Sequence, residues 1–374
     1  MFYHKTFIKY KKNKINFYGL PNTSPHNKRY DFFIIIPAYS ENDYIDQTLS
    51  SINQQNQTFF NQLLVVVVIN NSLSDHDNIK ENNLITYNRL IQSKYRFELI
   101  VIDSFSMESA YDAKLAGVGL ARKIGMDFCI SYSHYDSLYF SLDADTIIES
   151  NYLTFIYEKY KKHSFKTAIV NFSHQPTNDK IINVAINKYE LLLKQIAKKI
   201  QKTGSPYGYV SMGSTIICTA LAYVSVGGID PKKATEDFYF LQKLAKYDFI
   251  YQISQILVHP SSRQEQRVYL GTGYRLKNIN SNPLFKDLQF SNQAFEDLQF
   301  IYDSINKHWD CSIFFIKNNF LEYNEKIWDY FIENNFENIF NKIQKNINTQ
   351  EQLINQFNYW FDSLKIYKFL KMYI

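Results

Sequence analysis

The sequence predicts an α/β protein with a mostly parallel central sheet flanked by helices, followed by a helical C-terminal appendage. Three observations support this fold class. Short apolar runs alternate with helical stretches along the first two-thirds of the chain. The runs are apolar throughout, which is typical of parallel strands covered on both faces. Each run ends in polar residues, and ligands bind beyond the carboxyl ends of the strands in such sheets.

The order of these segments indicates repeated strand–helix units. The apolar runs are Phe32–Ile36, Leu63–Ile69, the segment FELIVID that ends at Asp103, and Tyr139–Leu142. Helical patterns lie between them at 44–54 and 110–127, and further ones follow at 180–202 and from Glu236. A last strand-like segment, IYQISQILVHP, precedes a basic loop. The polar residues at the strand ends should therefore meet at one edge of the sheet.

Composition and spacing divide the chain of 374 residues into three parts. Residues 1–30 form a basic, polar N-terminal extension with a proline-marked loop. Residues 31–275 form the α/β domain, and residues 276–374 form an Asn-rich, aromatic, helical region. The hydrophobic fraction of 45% is sufficient for a sizeable core.

The overall charge and the cysteines exclude several classes of function. The net charge of +5 is mild and not concentrated, so we expect no nucleic-acid binding. Three distant cysteines show no metal-binding spacing and indicate reduced thiols. The N-terminus lacks the apolar core of a signal peptide, and no apolar run approaches the ~20 residues that span a bilayer. A cytoplasmic location is therefore expected.

Two carboxylates end the apolar run YFSLDAD. Asp143 and Asp145 are two residues apart, so their side chains point the same way as the strand breaks and can converge on one hard cation. Mg²⁺ and Mn²⁺ prefer such oxygen ligands and keep positions open for phosphate oxygens. A second copy, Asp75-His76-Asp77, is interpreted instead as a solvated turn.

A second acidic pair, Glu236-Asp237, begins a predicted helix after Thr235, a candidate N-cap. Acids in a first helical turn complement the helix dipole in any protein. A carboxylate fixed there is also well placed to act as a general base, so the structural and functional interpretations are compatible.

The motifs, in their order, resemble family 2 glycosyltransferases with the GT-A fold over about residues 31–275. The similar segments are IIIPAYSEND, VVVVINNSLSD, AGVGLARKIGMD, YFSLDAD, MGSTIICTALAYVSVGGID and ATEDFYFLQKLAK. Six short motifs in the right order are more specific than any one of them. The resemblance implies a GT-A-type sheet that binds a nucleotide-sugar donor, with a UDP-sugar favoured.

The resemblance also implies roles for individual residues. Asp145 would bind Mn²⁺ or Mg²⁺, and Asp143 would contact the ribose or the metal through water. Asp237 would deprotonate the acceptor hydroxyl with Glu236 as orienting partner, and the anomeric carbon would be inverted. Candidate nucleotide contacts are Pro37, Ala38, Tyr39, Glu41, Asn70, Arg122, Asp143, Ala144, Asp145, Arg263 and Arg267.

The sequence departs from the family pattern at several positions. Asn70 and Asn71 stand where the family usually has the aspartate that holds uracil, which puts the nucleotide in doubt. Lys123 replaces the usual Asn after Arg122. The Arg-Trp signature of processive synthases is absent, so single sugars are expected to be added.

Some assignments keep a simpler alternative. His259 ends a predicted strand and is either a further metal ligand or a loop-end histidine bonded to the backbone. Arg263 and Arg267 either clamp the diphosphate or are surface charges. Tyr39 either stacks on the base or packs in the core, and Arg122 is either a nucleotide contact or an exposed helix residue.

Two other functions compete with this interpretation. A GT-A-like domain could bind sugar nucleotide or glycan without turnover, although it would have no use for a base. A nucleotidyltransferase would normally carry a glycine-rich phosphate loop, which IIIPAYSEND lacks. The acceptor is expected to be a glycan or a lipid-linked glycan in the synthesis of surface polysaccharide or glycolipid, and a protein acceptor stays open as an alternative.

The last segment, INQFNYWFDSLKIYKFLKMYI, predicts a helix with an aromatic face and lysines beside it. Such a helix either docks on the protein or lies at the inner face of the membrane, where lysines meet anionic lipid.

Overall fold

The computed structural model describes residues 2–26, 28–264, 273, 275 and 285–374. Arg267, a predicted diphosphate contact, lies outside the described residues. The chain divides into two compact units. The first comprises Met1–Ile186 with Ser211–Asn278, and the second comprises Asn187–Val210 with Ile279–Ile374. The sequence analysis placed a boundary near 275 and did not anticipate that 187–210 belongs with the C-terminal helices.

In the described part of the first unit, nine strands form a single sheet in the order β1-β4-β3-β2-β5-β8-β7-β9-β6. Strands β2 to β5 carry the long apolar runs, and all eight residues of β3 are buried. The strands are β1 (Leu20–Pro21), β2 (Tyr30–Ala38), β3 (Leu63–Asn70), β4 (Glu98–Ser104), β5 (Ser133–Ser141), β6 (Ile147–Ile148), β7 (Thr167–Phe172), β8 (Ile216–Thr219) and β9 (Ile250–His259).

Strands β4, β3, β2 and β5 are neighbours and run parallel. Strand β8 pairs antiparallel with both β5 and β7, whereas β7 and β9 are parallel.

The helices are α1 (Phe2–Lys14), α2 (Ile45–Asn53), α3 (Asp77–Gln92), α4 (Val118–Cys129), α5 (Tyr152–His163), α6 (Lys180–Lys202), α7 (Ala220–Ser225), α8 (Glu236–Tyr247), α9 (Asn292–Lys307), α10 (Ile313–Tyr323), α11 (Glu325–Glu333), α12 (Phe336–Gln344), α13 (Gln350–Trp360) and α14 (Ser363–Lys371). The predicted fold class, with its C-terminal helical region, is confirmed.

The connections create a topological switch point between β2 and β5. From β2 the chain steps outward through β3 to β4, and it then returns to the other side of β2 as β5. Adjacent connections therefore leave in opposite directions at the carboxyl ends of β2 and β5, and a crevice opens between them. The segments Pro37–Tyr39 and Asp143–Asp145 follow these two ends.

One predicted helix is shorter than its pattern. Helix α4 begins at Val118 rather than near residue 110. Tyr111 forms a β-bridge with Ser72, and Asp112 accepts a hydrogen bond from the backbone N–H of Lys114 at 2.9 Å. These contacts hold the small residues before α4 in a loop, where they line the crevice instead of extending the helix.

The N-terminal segment contains a helix that the sequence analysis interpreted as polar extension. Tyr10 of α1 is only 3% exposed, and its hydroxyl donates to Asp127 at 2.8 Å. Tyr223 donates to the same carboxylate at 2.7 Å, and Lys123 pairs with it at 2.8 Å. A Cβ at Gly228, whose φ is +73°, would lie 2.0 Å from the Tyr10 hydroxyl. A buried polar network therefore attaches α1 to the first unit.

The C-terminal aromatic segment forms two helices in the second unit, not one. Helix α13 ends at Trp360, and Asp362 caps α14 by accepting from the Lys365 N–H. Phe357, Phe361 and Phe369 are at most 1% exposed. This burial matches the docking alternative. Within the described residues, no helix is both long and apolar enough to cross a membrane.

The network around Asp127 gives a stability prediction. We expect Asp127→Ala to lower the free energy of unfolding by about 3–5 kcal/mol, because it leaves the Lys123 ammonium buried and unpaired. Tyr10→Phe should cost only about 1–2 kcal/mol, since it removes one hydroxyl and leaves the Lys123–Asp127 pair in place. Urea unfolding measures both, and exposed Lys12→Ala serves as the control. Equal effects of Asp127→Ala and Lys12→Ala would contradict a structural role for the network.

Candidate active site

A tight turn after β5 presents the two carboxylates at the switch point. Leu142 still bonds to β2, through the carbonyl of Ile35. The Thr146 N–H then donates to the Asp143 carbonyl at 3.1 Å, and Thr48 of α2 donates to the Ala144 carbonyl at 2.8 Å. Hydrogen bonds to backbone groups of the turn thus hold it against β2 and α2. The side chains of Asp143 and Asp145 remain 35% and 15% exposed.

Asp143 is held from two sides. Its Oδ1 accepts from Arg122, whose guanidinium also pairs with Glu236. Its Oδ2 accepts from Ser214 at 2.5 Å, and the Ser214 hydroxyl accepts from the Asp143 N–H at 3.2 Å. Arg122, Glu236 and Ser214 are at most 4% exposed. Arg122 thus links the carboxylate after β5 to the acid that begins α8.

Asp145 is paired in a similar way with a second arginine. Its Oδ2 accepts from Arg263 Nε at 2.9 Å, and Arg263 also donates to Glu41 at 2.5 Å. The Arg263 guanidinium lies over the ring of Tyr44, 4.4 Å from its centroid. Gln175 donates to the carbonyls of both Asp145 and His259, at 2.8 and 2.7 Å, and so joins the two loops.

A cleft of about 570 Å³ opens over these groups. It contains most of the predicted nucleotide contacts. The residues that line it are Pro37, Tyr39, Glu41, Asn70, Asn71, Ser72, Asp75, Ala113, Ala116, Gly117, Val118, Asp143, Ala144, Asp145, Lys233 and Arg263. Ala38 is buried in β2 and Arg122 pairs with acids, and neither lines the cleft.

The two asparagines at the end of β3, Asn70 as its last residue and Asn71 directly after it, have different roles. Asn71 donates to the carbonyls of Ser72 and Phe105, and its Oδ1 accepts from Asn83 at 2.8 Å. Asn83 Oδ1 in turn accepts from the N–H of Ser40. Asn70 is 5% exposed, and its side-chain amide has no hydrogen-bond partner among the described residues. Asn71 therefore holds the loop, and Asn70 offers a donor and an acceptor to the cleft.

The second D-x-D copy behaves largely as the turn interpretation expected. The Asp75 carboxylate accepts from the Ser72 N–H at 2.8 Å, and the Asp77 side chain is fully exposed at the start of α3. Asp75 also lines the cleft, which its interpretation as a solvated turn did not foresee.

Glu236 and Asp237 lie at the start of α8, where the sequence placed them. Thr235 precedes them with a left-handed φ of 63°, and its hydroxyl donates to the Ala234 carbonyl, so it does not cap the helix as expected. Burial raises the pKa of Glu236 to about 8, although Arg122 opposes the shift. Burial likewise raises the pKa of Asp237, whose side chain is partly exposed. Neither acid lines the cleft.

Both ring nitrogens of His259 have hydrogen-bond partners. Its Nδ1 bonds to the Ser173 carbonyl at 2.9 Å, and its Nε2 bonds to Glu149 at 2.8 Å. Across the described ranges, no group of three or more His, Cys, Asp or Glu side chains is arranged to hold a metal. The arrangement matches the alternative of a loop-end histidine, and the three-residue ligand set stays a prediction.

The remaining pair fits a hard cation by its chemistry. Asp143 and Asp145 both reach the cleft and supply carboxylate oxygens. The carboxylates of Asp143 and Asp145 lie beside the guanidiniums of Arg122 and Arg263. The two aspartates favour a cation, while the arginine on each of them competes with it.

Sequence reasoning missed Ser214, Gly213 and Lys233. The first two lie in the segment MGSTII, which was quoted only as part of a motif. Small residues gave no signal there, because their role is to leave room for Arg122 and to bond to Asp143. Lys233 lies before α8 and reaches the cleft only through tertiary packing.

No protein-family model matches this chain, and no curated protein matches its sequence. Among solved structures, S. aureus TarS 1–349 in complex with UDP-GlcNAc is 14% identical with a TM-score of 0.44. That match covers 75% of this chain and 73% of TarS 1–349. The mannosyltransferase PcManGT from Pyrobaculum calidifontis, in complex with GDP-Man and Mn²⁺, is 13% identical with a TM-score of 0.42, covering 80% and 71%. Likenesses this distant establish no family or activity for this chain.

Competition between Arg263 and a cation for Asp145 can be measured directly. We expect Arg263→Gln to bind Mn²⁺ alone about fivefold more tightly, which corresponds to ~1 kcal/mol, since a positive charge beside the carboxylate is removed. Calorimetry at constant ionic strength measures the affinity, with Arg263→Lys as the charge-preserving control. Weaker Mn²⁺ binding by Arg263→Gln would mean that Arg263 orients Asp145 rather than competing for it.

Proposed function

We propose that this chain is an inverting, metal-dependent glycosyltransferase that moves a single sugar from a nucleotide-sugar donor to a hydroxyl acceptor. The observation that carries the proposal is the placement of the Asp143–Asp145 pair at a topological switch point, linked through Arg122 to the acids of α8. A cleft of about 570 Å³ beside them is large enough for a nucleotide.

The cleft has the polarity that a nucleoside diphosphate requires. Asn70 ends β3, two strands away from β5, which corresponds to roughly 10 Å from the acid pair. Its amide can pair with a base edge, and Tyr39 between them offers a ring for the base or ribose. We favour a UDP-sugar donor on the resemblance of the surrounding motifs, and Asn70 is compatible with uracil.

The negative end of the donor would meet the positive charges of the cleft. Arg263 and Lys233 line it and can contact phosphate oxygens, with guanidinium matching two oxygens at once. Mn²⁺ or Mg²⁺ bound by Asp145 and Asp143 would supply Lewis-acid stabilisation to the leaving diphosphate. The two aspartates would orient the donor, because they would hold the metal ion at the end of β5.

The acids of α8 would serve the acceptor. The Asp237 carboxylate takes the proton of the acceptor hydroxyl as its oxygen bonds to the anomeric carbon. The bond from that carbon to the phosphate oxygen breaks on the opposite face, and its electron pair leaves with the diphosphate. Glu236, held by Arg122, is the orienting partner. A single displacement of this kind inverts the anomeric carbon.

The acceptor and the cellular setting belong to the same proposal. A glycan or lipid-linked glycan is the acceptor we expect, in surface polysaccharide or glycolipid synthesis in the cytoplasm. Contact of the C-terminal helix with the inner face of the membrane stays a prediction, and the burial of its aromatics gives it no support.

One observation favours the alternative of a binding protein without turnover. Both carboxylates of the D-x-D pair are held by arginines. In such a protein these pairs would be permanent, and a bound nucleotide sugar would not be consumed. Mass spectrometry of products from a panel of nucleotide sugars separates the two functions.

Removing the metal ligand tests the role of the acid pair. We expect Asp145→Ala to lower transfer about 100-fold or more, because the charge on the leaving diphosphate loses its compensation. Transfer is measured with Mn²⁺, Mg²⁺ or EDTA. Asp77→Ala, in the exposed D-x-D copy, is the matched control and should retain activity. Full wild-type activity in EDTA would exclude metal dependence.

Removing the base should affect the chemical step and not donor binding. We expect Asp237→Asn to lower kcat about 100-fold or more with little change in KM, since the amide keeps the shape of the side chain without its basicity. Because the pKa of Asp237 is raised, wild-type kcat should be lost as the pH falls through a value above the usual ~3.9. The pH profile of Asp237→Asn should lack this loss of kcat at low pH. The control is Asp248→Asn, a half-buried aspartate at the other end of α8 that pairs with Lys166. A near-normal kcat for Asp237→Asn would place the base elsewhere, first at Glu236.

A further inference from the structure

Arg122 lies between the two acidic pairs on which the proposed chemistry depends. Its side chain is 4% exposed, and its guanidinium pairs with Asp143 on one side and Glu236 on the other. These two acids belong to different centres, one at the end of β5 and one at the start of α8. Arg122 itself lies on α4, which packs against β2 and β3. The buried guanidinium of Arg122 thus connects α4, the turn after β5 and the start of α8.

The slot that holds the guanidinium is built for its shape. A Cβ at Gly213 would lie only 2.5 to 2.8 Å from the two terminal nitrogens and the Cζ of Arg122. The next residue, Ser214, holds the other oxygen of Asp143 at 2.5 Å. The turn before β8 therefore sets both the plane of the guanidinium and the orientation of the Asp143 carboxylate.

We propose that Arg122 is a positioning residue, which sets the distance and orientation between the donor-side carboxylate Asp143 and the acceptor-side pair Glu236 and Asp237. The inference rests on the proposed function. In the transfer reaction the acceptor must attack from the face opposite the leaving diphosphate. The carboxylates that serve the two groups must therefore be held at a set separation, and a misplacement of ~1 Å can cost about 100-fold in rate.

A planar fork is needed at this position, not merely a positive charge. A guanidinium donates to two carboxylates in fixed directions, whereas an ammonium is a compact charge on a flexible stem. Lysine at 122 would preserve the charge but could not hold both acids in one plane. The same argument applies to any change that shifts the guanidinium without removing it.

Two variants separate geometry from charge. Arg122→Lys keeps the charge, and Gly213→Ala keeps every charged group while displacing the guanidinium. We expect both to lower kcat about 100-fold with KM for the donor within about threefold of wild type. Arg122→Ala leaves a cavity of guanidinium shape, so added guanidinium ion should raise its kcat in a saturable manner, and ammonium should not. Gly208→Ala, whose Cβ would meet Gln201 at 2.4 Å in the other unit, controls for the general effect of a steric clash.

The inference is overturned if Arg122→Lys or Gly213→Ala retains kcat within about threefold of wild type while folded. It is equally overturned if both lose activity only in proportion to their lowered Tm, as Gly208→Ala would.

A measurement without turnover keeps this outcome apart from failure of the proposed function. Asp143→Asn and Glu236→Gln should change Tm non-additively in the wild type and additively in Arg122→Met. Additive changes in both backgrounds would show that Arg122 couples nothing, whether or not sugar is transferred.

Discussion

A cluster of carboxylates at one edge of the sheet, joined in pairs by Arg122 and Arg263, is the constraint on which the site depends. Glu41, Asp143, Asp145, Glu236 and Asp237 come from three separate stretches of the chain. Carboxylates held this close repel one another, and burial opposes their ionised forms. Arg122 and Arg263 each join two of these acids. The Arg122 guanidinium joins the turn after β5 to the start of α8, and Arg263 joins that turn to Glu41.

The fold assembles this cluster by bringing strand ends and loops to a single place. The parallel strands β3, β2 and β5 end at the same edge, so the loops that follow them meet there. Backbone groups then hold the loops: Thr48 binds the carbonyl of Ala144, and Gln175 joins the carbonyls of Asp145 and His259. Because main-chain atoms hold the turn, the carboxylates themselves remain available for charge chemistry.

The two arginines differ in how far each is buried. The Arg122 side chain is 4% exposed and its slot excludes any larger residue at Gly213. The Arg263 side chain is 17% exposed, lines the cleft and lies on the ring of Tyr44. A buried charge pair resists disruption, because removing one partner strands the other in a low dielectric. Arg122 is accordingly part of the framework, whereas Arg263 lies where a phosphate can reach it.

The amino-acid sequence by itself determined the fold class, the strands β2, β3, β4, β5 and β9 in their order along the chain, and the placement of Asp143–Asp145 and Glu236-Asp237 at element ends. These follow from local patterns: uninterrupted apolar runs, polar strand ends and acids before a helix. Local pattern could not reveal that Tyr10 anchors the N-terminal helix, that α4 begins only at Val118, or that Asn71 holds a loop while Asn70 faces the cleft. It also could not show which arginine pairs with which acid, or that Gly213 and Ser214 shape the slot. Only the tertiary structure decided these points, because each depends on groups distant in sequence that burial forces to find partners.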